Sequence, residues 1–326
     1  MIKDIVKYPL SIQGFDTKEF ADVKSPYTGE VFACVGQADE KAIDAALTLS
    51  QATFHSTMKV MPAYKRSAIL AKTSELINAN LEDLAQTIAL EGGKPIKDAR
   101  LEVSRAANTF MIASREAVRL DGEQLAMDNL PGNEARVGMI LREPVGVVAA
   151  VTPFNFPLNL VAHKLAPALA AGNTVVLKPS SNTPVSSFKL AELLKQAGLP
   201  DGALIVTPCR GAKGNALVKD KRIAVLTFTG SQEVGWRLRG EVWPGVRVIL
   251  ELGGNAGIVV HSDADLVAAA KAACRGGYAH AGQICISVQR VYVQSGVYDE
   301  FMQLFKDLVS DLKVGDPMDD GTDVGP

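Results

Sequence analysis

Hydrophobic positions change their spacing along this chain. From residue 39 to about residue 120 they recur at helical intervals: Ile43, Ala46, Leu47 and Phe54 share one face, as do Ile69, Leu76 and Ile77, with charges between them. That pattern predicts a scaffold of amphipathic helices. Gly92-Gly93 and Pro95 punctuate it, because glycine can close a helix and proline cannot continue one. After Pro131-Gly132, residues 135–142 have mixed polarity and read as a strand, one arm of a hairpin. Continuous apolar runs then take over at 145–151, 174–177, 203–207, 223–229 and 246–252. Helices are expected between them, one over 158–171 closed by Gly172, another starting at Thr183-Pro184 as N-cap and first-turn proline and closed by Gly198. A later helix is expected to start near Ser262 or Asp263. Strands without polar alternation belong in a parallel sheet covered on both faces, so the expected fold is α/β with a doubly wound parallel sheet.

Composition narrows the classes of function. With 326 residues, 47% of them hydrophobic, the chain is long for a single domain. A net charge of −2, no basic run and 6% aromatic residues leave no footprint for nucleic acid. Residues 1–10 lack an apolar stretch of signal-peptide length, and no run approaches the roughly 20 apolar residues that span a bilayer. A cytoplasmic protein without a membrane partner is expected. The cysteines, Cys34, Cys209, Cys274 and Cys285, lie far apart with no C-x-x-C pair, which argues against a disulfide framework and against a metal site.

In a doubly wound sheet, ligands bind beyond the carboxyl ends of the strands. There the chain places Thr152-Pro153-Phe154-Asn155, Lys178-Pro179-Ser180-Ser181, Gly230-Ser231 and Glu251-Leu252-Gly253-Gly254. Phe228-Thr229-Gly230-Ser231 runs into a helix amino terminus, which suits a pyrophosphate; a tight turn with an ordinary serine cap reads equally well. Lys178 suits a nucleotide ribose or phosphate, or else extends its stem over apolar surface. Glu251 is a general base in a partly dry cleft, or a surface carboxylate ending a strand. Cys285 is a nucleophile or a small buried hydrophobe. His163 and His280 fit no metal pattern and read as locally satisfied.

Taken in order, Arg142-Glu143-Pro144-Val145-Gly146, Thr152-Pro153-Phe154-Asn155-Phe156-Pro157, Leu177-Lys178-Pro179-Ser180, Phe228-Thr229-Gly230-Ser231, Glu251-Leu252-Gly253-Gly254-Asn255, Asp263-Ala264-Asp265-Leu266 and Gly282-Gln283-Ile284-Cys285 resemble successive signatures of the aldehyde dehydrogenase family. The resemblance implies a Rossmann-like cofactor domain over 1–124 and 144–253, an oligomerisation hairpin over 125–143, and an incomplete second α/β domain, catalytic, from 254 to 326. It implies NADP or NAD as cofactor, an aldehyde as substrate, and a homodimer or homotetramer for the full-length protein. Cys285, Glu251, Asn155 and Lys178 would be catalytic. Cysteine attack on the aldehyde would give a thiohemiacetal, with the Asn155 amide and the Cys285 N–H holding the oxyanion; hydride loss would give a thioester, hydrolysed by water that Glu251 deprotonates. The cofactor would be lined by Thr152, Pro153 and Phe154, by Lys178, Ser180 and Ser181, by Gly214, Phe228, Gly230 and Ser231, and by Leu252 and Gly253.

The chain departs from the family pattern in two ways. Ser181 stands where many NAD-preferring relatives carry a glutamate, and a serine does not repel a 2′-phosphate, which favours NADP. The chain ends at Gly325-Pro326, where relatives continue, and little turnover is expected of it alone. Short polar aldehydes, such as lactaldehyde, a semialdehyde or a phosphorylated glyceraldehyde, are the substrates the resemblance implies. Competing readings are a Cys-His hydrolase using His280, a coenzyme A-acylating relative, and a non-catalytic fragment that keeps nucleotide binding.

Overall fold

The computed structural model describes residues 5–326; the first four, inside the range 1–124 given to the cofactor domain, lie outside the described residues. Three short strands come first: β1 (Val6–Tyr8), β2 (Phe20–Lys24) and β3 (Val31–Gly36), with β3 central, parallel to β1 and antiparallel to β2. Strands this short carry no sustained alternation, and the hydrophobic pattern did not announce them. The helical stretch then forms α1 (Glu40–Thr53), α2 (Ala63–Ala79), α3 (Leu81–Gly92) and α4 (Ile96–Ala117). A hairpin follows, β4 (Glu123–Leu125) against β5 (Gly138–Ile140), reaching upstream of residue 125.

The doubly wound sheet is built from β6 (Val147–Val151), β7 (Thr174–Lys178), β8 (Leu204–Val206), β9 (Ile223–Thr229) and β10 (Arg247–Glu251). Between them run α5 (Asn159–Ala170), α6 (Val185–Gln196), the single-turn α7 (Asn215–Val218) and α8 (Gln232–Glu241). Every pairing is parallel and the order is β10-β9-β6-β7-β8. The chain builds outward from β6 on one side and then returns to lay β9 on the other, so a topological switch falls between β6 and β9.

Burial on both faces explains the continuous apolar runs. Val148 and Ala150 of β6 join the core beneath α2 to α6, while Val147, Ala149 and Val151 join the core against α1. Val175 and Leu177 of β7 face the first core and Val176 the second. Alternate side chains point to opposite faces, and each face is covered. The run at 246–252 differs from this expectation. β10 has a neighbour on one side only, and Ile249 and Glu251 on it are exposed.

Beyond the sheet, β11 (Ala256–Val260) and β12 (Val288–Val293) pair in parallel across the helix α9 (Leu266–Tyr278), and α10 (Tyr298–Ser310) packs on α9. Val260, Ala270, Ala273 and Phe301 form their small core. Helix α9 starts after Asp265, whose Oδ1 accepts from the Ala268 N–H at 3.0 Å, and not at Ser262 or Asp263. Those residues are held by the preceding turn: Asp263 meets His261 at 2.7 Å, and the Ser262 N–H donates to Gln294 Oε1 at 2.9 Å.

Two further helix starts depend on acids from another layer. Helix α6 is not capped by Thr183, whose hydroxyl is buried without a partner. Glu91 at the end of α3 accepts instead from Val185 N–H (2.7 Å) and Ser186 N–H (3.1 Å) and from the Ser186 hydroxyl. At α5, Glu102 of α4 accepts from the Leu158 and Asn159 N–H groups, both at 3.0 Å, and pairs with buried Lys94. The Lys94 ammonium lies 3.5 Å from the centroid of the Phe156 ring. Breaking a buried pair leaves one charge uncompensated. Lys94→Met should therefore lower unfolding free energy in urea by about 3–5 kcal/mol. Lys97→Met, which removes a solvent-exposed pair with Asp323, should cost less than ~1 kcal/mol, and equal losses would contradict the assignment.

Candidate active site

Neighbouring strand ends are laced together at the switch point. The Thr152 N–H donates to the Lys178 carbonyl at 3.2 Å, and the Gly230 N–H donates to the Glu251 carbonyl at 3.1 Å. Ser231 caps α8 by accepting from the Val234 N–H at 3.4 Å, so the first turn of that helix opens beside β9. A Cβ at Gly230 would lie 2.6 Å from the buried Phe228 ring, and one at Gly235 would lie 2.5 Å from Leu252. Pro153 is half-buried and Phe154 exposed on the rim, while Thr152 is buried with its hydroxyl unpartnered and Gly253 is exposed.

On the β7 side, Lys178 Nζ donates to the Pro179 carbonyl at 3.4 Å, Ser181 Oγ donates to the Cys209 carbonyl at 3.3 Å, and Ser180 Oγ accepts from the Asn182 N–H at 3.3 Å. A Cβ at Gly214 would stand 3.0 Å from Lys178 Cε and 3.5 Å from Cys209 Sγ. Bare backbone at Gly214 and Gly230, an open helix amino end and a lysine at the sheet edge fit the charge and shape of a dinucleotide. Among the described residues, no group of three or more His, Cys, Asp or Glu side chains is placed to hold a metal ion, and no helix is long and apolar enough to cross a membrane.

Cys285 follows the turn Ala279–Gly282, in which His280 (φ 49°) and Ala281 (φ 54°) take left-handed conformations that side chains disfavour. The Cys285 carbonyl lies against Gly254, where a Cβ would come within 2.3 Å of it, and Gly254 is three residues after Glu251. Glu251 and exposed Cys285 thereby share a cavity of about 530 Å³ whose wall also includes Thr229, His163 and Lys164. Asn155 Nδ2 donates to the Gln283 carbonyl at 2.7 Å, two residues before the thiol. An amide nitrogen has two N–H groups, so a second donor remains. The Cys285 N–H has no acceptor among the described residues.

The lysine on that cavity wall is Lys164 and not Lys178, which the structure gathers with Ser181, Cys209 and Gly214. Lys164 was missed in the sequence, although a lysine in the apolar helix NLVAHKLAPALA was a usable signal. It is buried, donates to Thr227 Oγ1 at 3.0 Å, and has its pKa drawn down to about 8 by burial, with Glu251 acting in the opposite direction. Glu251 itself is exposed on the open edge of β10, where a partly dry cleft was expected.

His280 is not satisfied locally: it is buried, its Nε2 has no partner, and burial beside the Lys94 cation pulls its pKa down to about 3. It lines a second cavity, of about 390 Å³, with Phe156, Ile284, Ile286, Arg105 and Arg275. The two cavities flank the Cys285 segment, Cys285 facing one and its neighbours Ile284 and Ile286 the other.

Residues 14–326 match the model of the aldehyde dehydrogenase family. The chain is 42% identical over 329 residues to a 3-sulfolactaldehyde dehydrogenase of Priestia aryabhattai, covering 100% of this chain and 68% of that protein. It is 40% identical over 315 residues to an NADP-dependent succinate-semialdehyde dehydrogenase of Escherichia coli, covering 94% and 63%. The solved structure of aldehyde dehydrogenase 21 from Physcomitrella patens, in complex with the reaction product succinate, superposes with a TM-score of 0.94 at 40% identity, covering 99% of this chain and 68% of that one. Relatives include both NAD- and NADP-dependent aldehyde dehydrogenases. The chain thus spans between 59% and 68% of the length of the curated relatives it matches. A match across nearly all its residues, in sequence and in fold, makes this chain a member of the aldehyde dehydrogenase family.

Proposed function

We propose that the protein carrying this chain oxidises a short aldehyde to the carboxylic acid with NADP or NAD. What supports the reading is the meeting of Glu251 and Cys285 on one cavity wall, with the Asn155 amide bonded two residues before the thiol. The Cys285 thiolate adds to the carbonyl carbon, forming a C–S bond and leaving negative charge on oxygen. The free N–H of the Asn155 amide and the Cys285 N–H receive that charge; each such donor lowers the barrier by about 3 kcal/mol. When bound, the nicotinamide cofactor supplies the hydride acceptor for the step that yields a thioester on Cys285. Glu251 then takes a proton from water, the resulting hydroxide adds to the thioester carbon, and the C–S bond breaks to release acid and thiolate. Lys164, buried on the same cavity wall, is held by Thr227 and feels the charge of Glu251, which opposes the effect of burial on its ammonium.

Gly230, Ser231 and the start of α8 would hold the pyrophosphate, and Lys178, Ser180 and Ser181 the adenosine side; Ser181, which carries no negative charge, favours NADP. Residues 1–124 and 144–253 then serve the cofactor, 254–326 begin the catalytic part, and the 125–143 hairpin joins copies of a homodimer or homotetramer in the cytoplasm. Named relatives act on aldehydes ending in a sulfonate or a carboxylate.

Three measurements test this. Iodoacetamide followed by peptide mapping should label Cys285 first. Cys209 and Cys274 are buried, which raises their thiol pKa values, and Cys34 is raised by its bond to Asp22; all three hold less thiolate at neutral pH. Uniform labelling would count against a distinct thiol. In assays with succinate semialdehyde, Cys285→Ala should abolish NADPH formation and Asn155→Ala should cut kcat about 10²–10³-fold. Retained turnover in either variant refutes the assignment. Ser181→Glu should shift kcat/KM from NADP towards NAD at least about tenfold, by placing a carboxylate against the 2′-phosphate; an unchanged ratio would remove Ser181 from cofactor choice.

A further inference from the structure

We propose that Glu91 is the positioning residue of the dinucleotide loop, fixing residues 178–184 from behind through the first turn of α6. The inference rests on the reading of Lys178, Ser180 and Ser181 as cofactor-binding residues. That loop is tied at one end by β7 in the sheet and at the other by α6, which begins at Val185. Its own side chains do not fix the helix end: Pro184 makes no side-chain cap and the Thr183 hydroxyl is buried without a partner. The fastening comes from a residue almost a hundred positions away in sequence, with the Glu91 carboxylate accepting from two N–H groups, Val185 (2.7 Å) and Ser186 (3.1 Å), and from the Ser186 hydroxyl.

Glu91 is 2% exposed. Burying a carboxylate is costly unless its hydrogen bonds are complete, and burial pushes this one up to about 7. A serine or threonine cap would fasten a helix end more cheaply. What the distant acid adds is registry with the helical layer. The corner that bears it also touches both site loops: a Cβ at Gly92 would lie 3.8 Å from Thr183 Cγ2 and 3.9 Å from the Phe154 carbonyl. The corner between α3 and α4 therefore spaces the end of the 178–184 loop, at Thr183, from the loop at Phe154.

The test is calorimetric titration of NADP and NAD into the whole chain and its variants, with amide hydrogen exchange over residues 178–186. Glu91→Gln keeps the shape but turns one acceptor into a donor facing N–H groups. It should weaken NADP about tenfold or more and remove protection at Val185 and Ser186. Lys189→Ala is the control, because it breaks the pair with Asp83 at 2.7 Å across the same α3–α6 contact without touching the loop; its affinity should stay within about twofold of the parent. If Glu91→Gln fails to fold, Ser186→Ala, which removes one of three bonds, should weaken NADP about threefold. Parent-like affinity in Glu91→Gln, or in Ser186→Ala where that variant decides, overturns the proposal alone. So does an equal loss in Lys189→Ala, which would mark general loosening. A parent chain that binds neither dinucleotide overturns the cofactor reading first and this inference with it.

Discussion

Strand β6 is buried on both faces and flanked on both edges, and that confinement governs where chemistry can occur. Its side chains are all apolar and alternate between two cores; Val148 alone among them reaches the wall of the Glu251–Cys285 cavity, and it brings no polar group there. On this strand, polar groups begin only past its carboxyl end, at Thr152. A loop leaving such a strand must nevertheless be held, because a loose loop would lose more in ordering a ligand than it gains in contact. Glu91 and Glu102 meet that need by reaching from the α3–α4 layer to the first turns of the helices behind the two loops. The helical scaffold is thus more than packing: it carries the acids that aim the site.

Much of the architecture could be read from hydrophobic spacing, because a covered parallel sheet imposes apolar runs that few other folds need. The runs at 145–151, 174–177 and 223–229 became β6, β7 and β9 with ends shifted by two residues or fewer. Legibility failed where a residue's partner lies far away in sequence. No local pattern says that Thr183 is idle and Glu91 caps α6, or that Lys94 lies over Phe156. The same is true of His280, whose missing partner is visible only once the Cys285 turn is folded against α4. Motif residues at strand ends could be found, because topology makes those positions special. Their supports could not.

The site is asymmetric in charge. One side of the Cys285 segment holds Glu251 with Lys164, a carboxylate beside a buried amine. The other holds Arg105 and Arg275 with Asp98, the Lys94–Glu102 pair and a neutral histidine kept from protonation by burial and by Lys94. The exposed carboxylate thus lies on one side and the arginines, among acids, on the other, and the strained turn at His280 and Ala281 leads into the segment that separates them.

The contact of Gly254 with the Cys285 carbonyl reaches further than local packing. Because that glycine is three residues from Glu251, the segment bearing the carboxylate and the segment bearing the thiol rest on each other main chain to main chain, with no side chain able to act as a cushion. Any residue larger than glycine would wedge them apart by an ångström or more. Libraries that randomise 251–254 to alter selectivity would therefore find position 254 closed to variation, whatever freedom its neighbours retain.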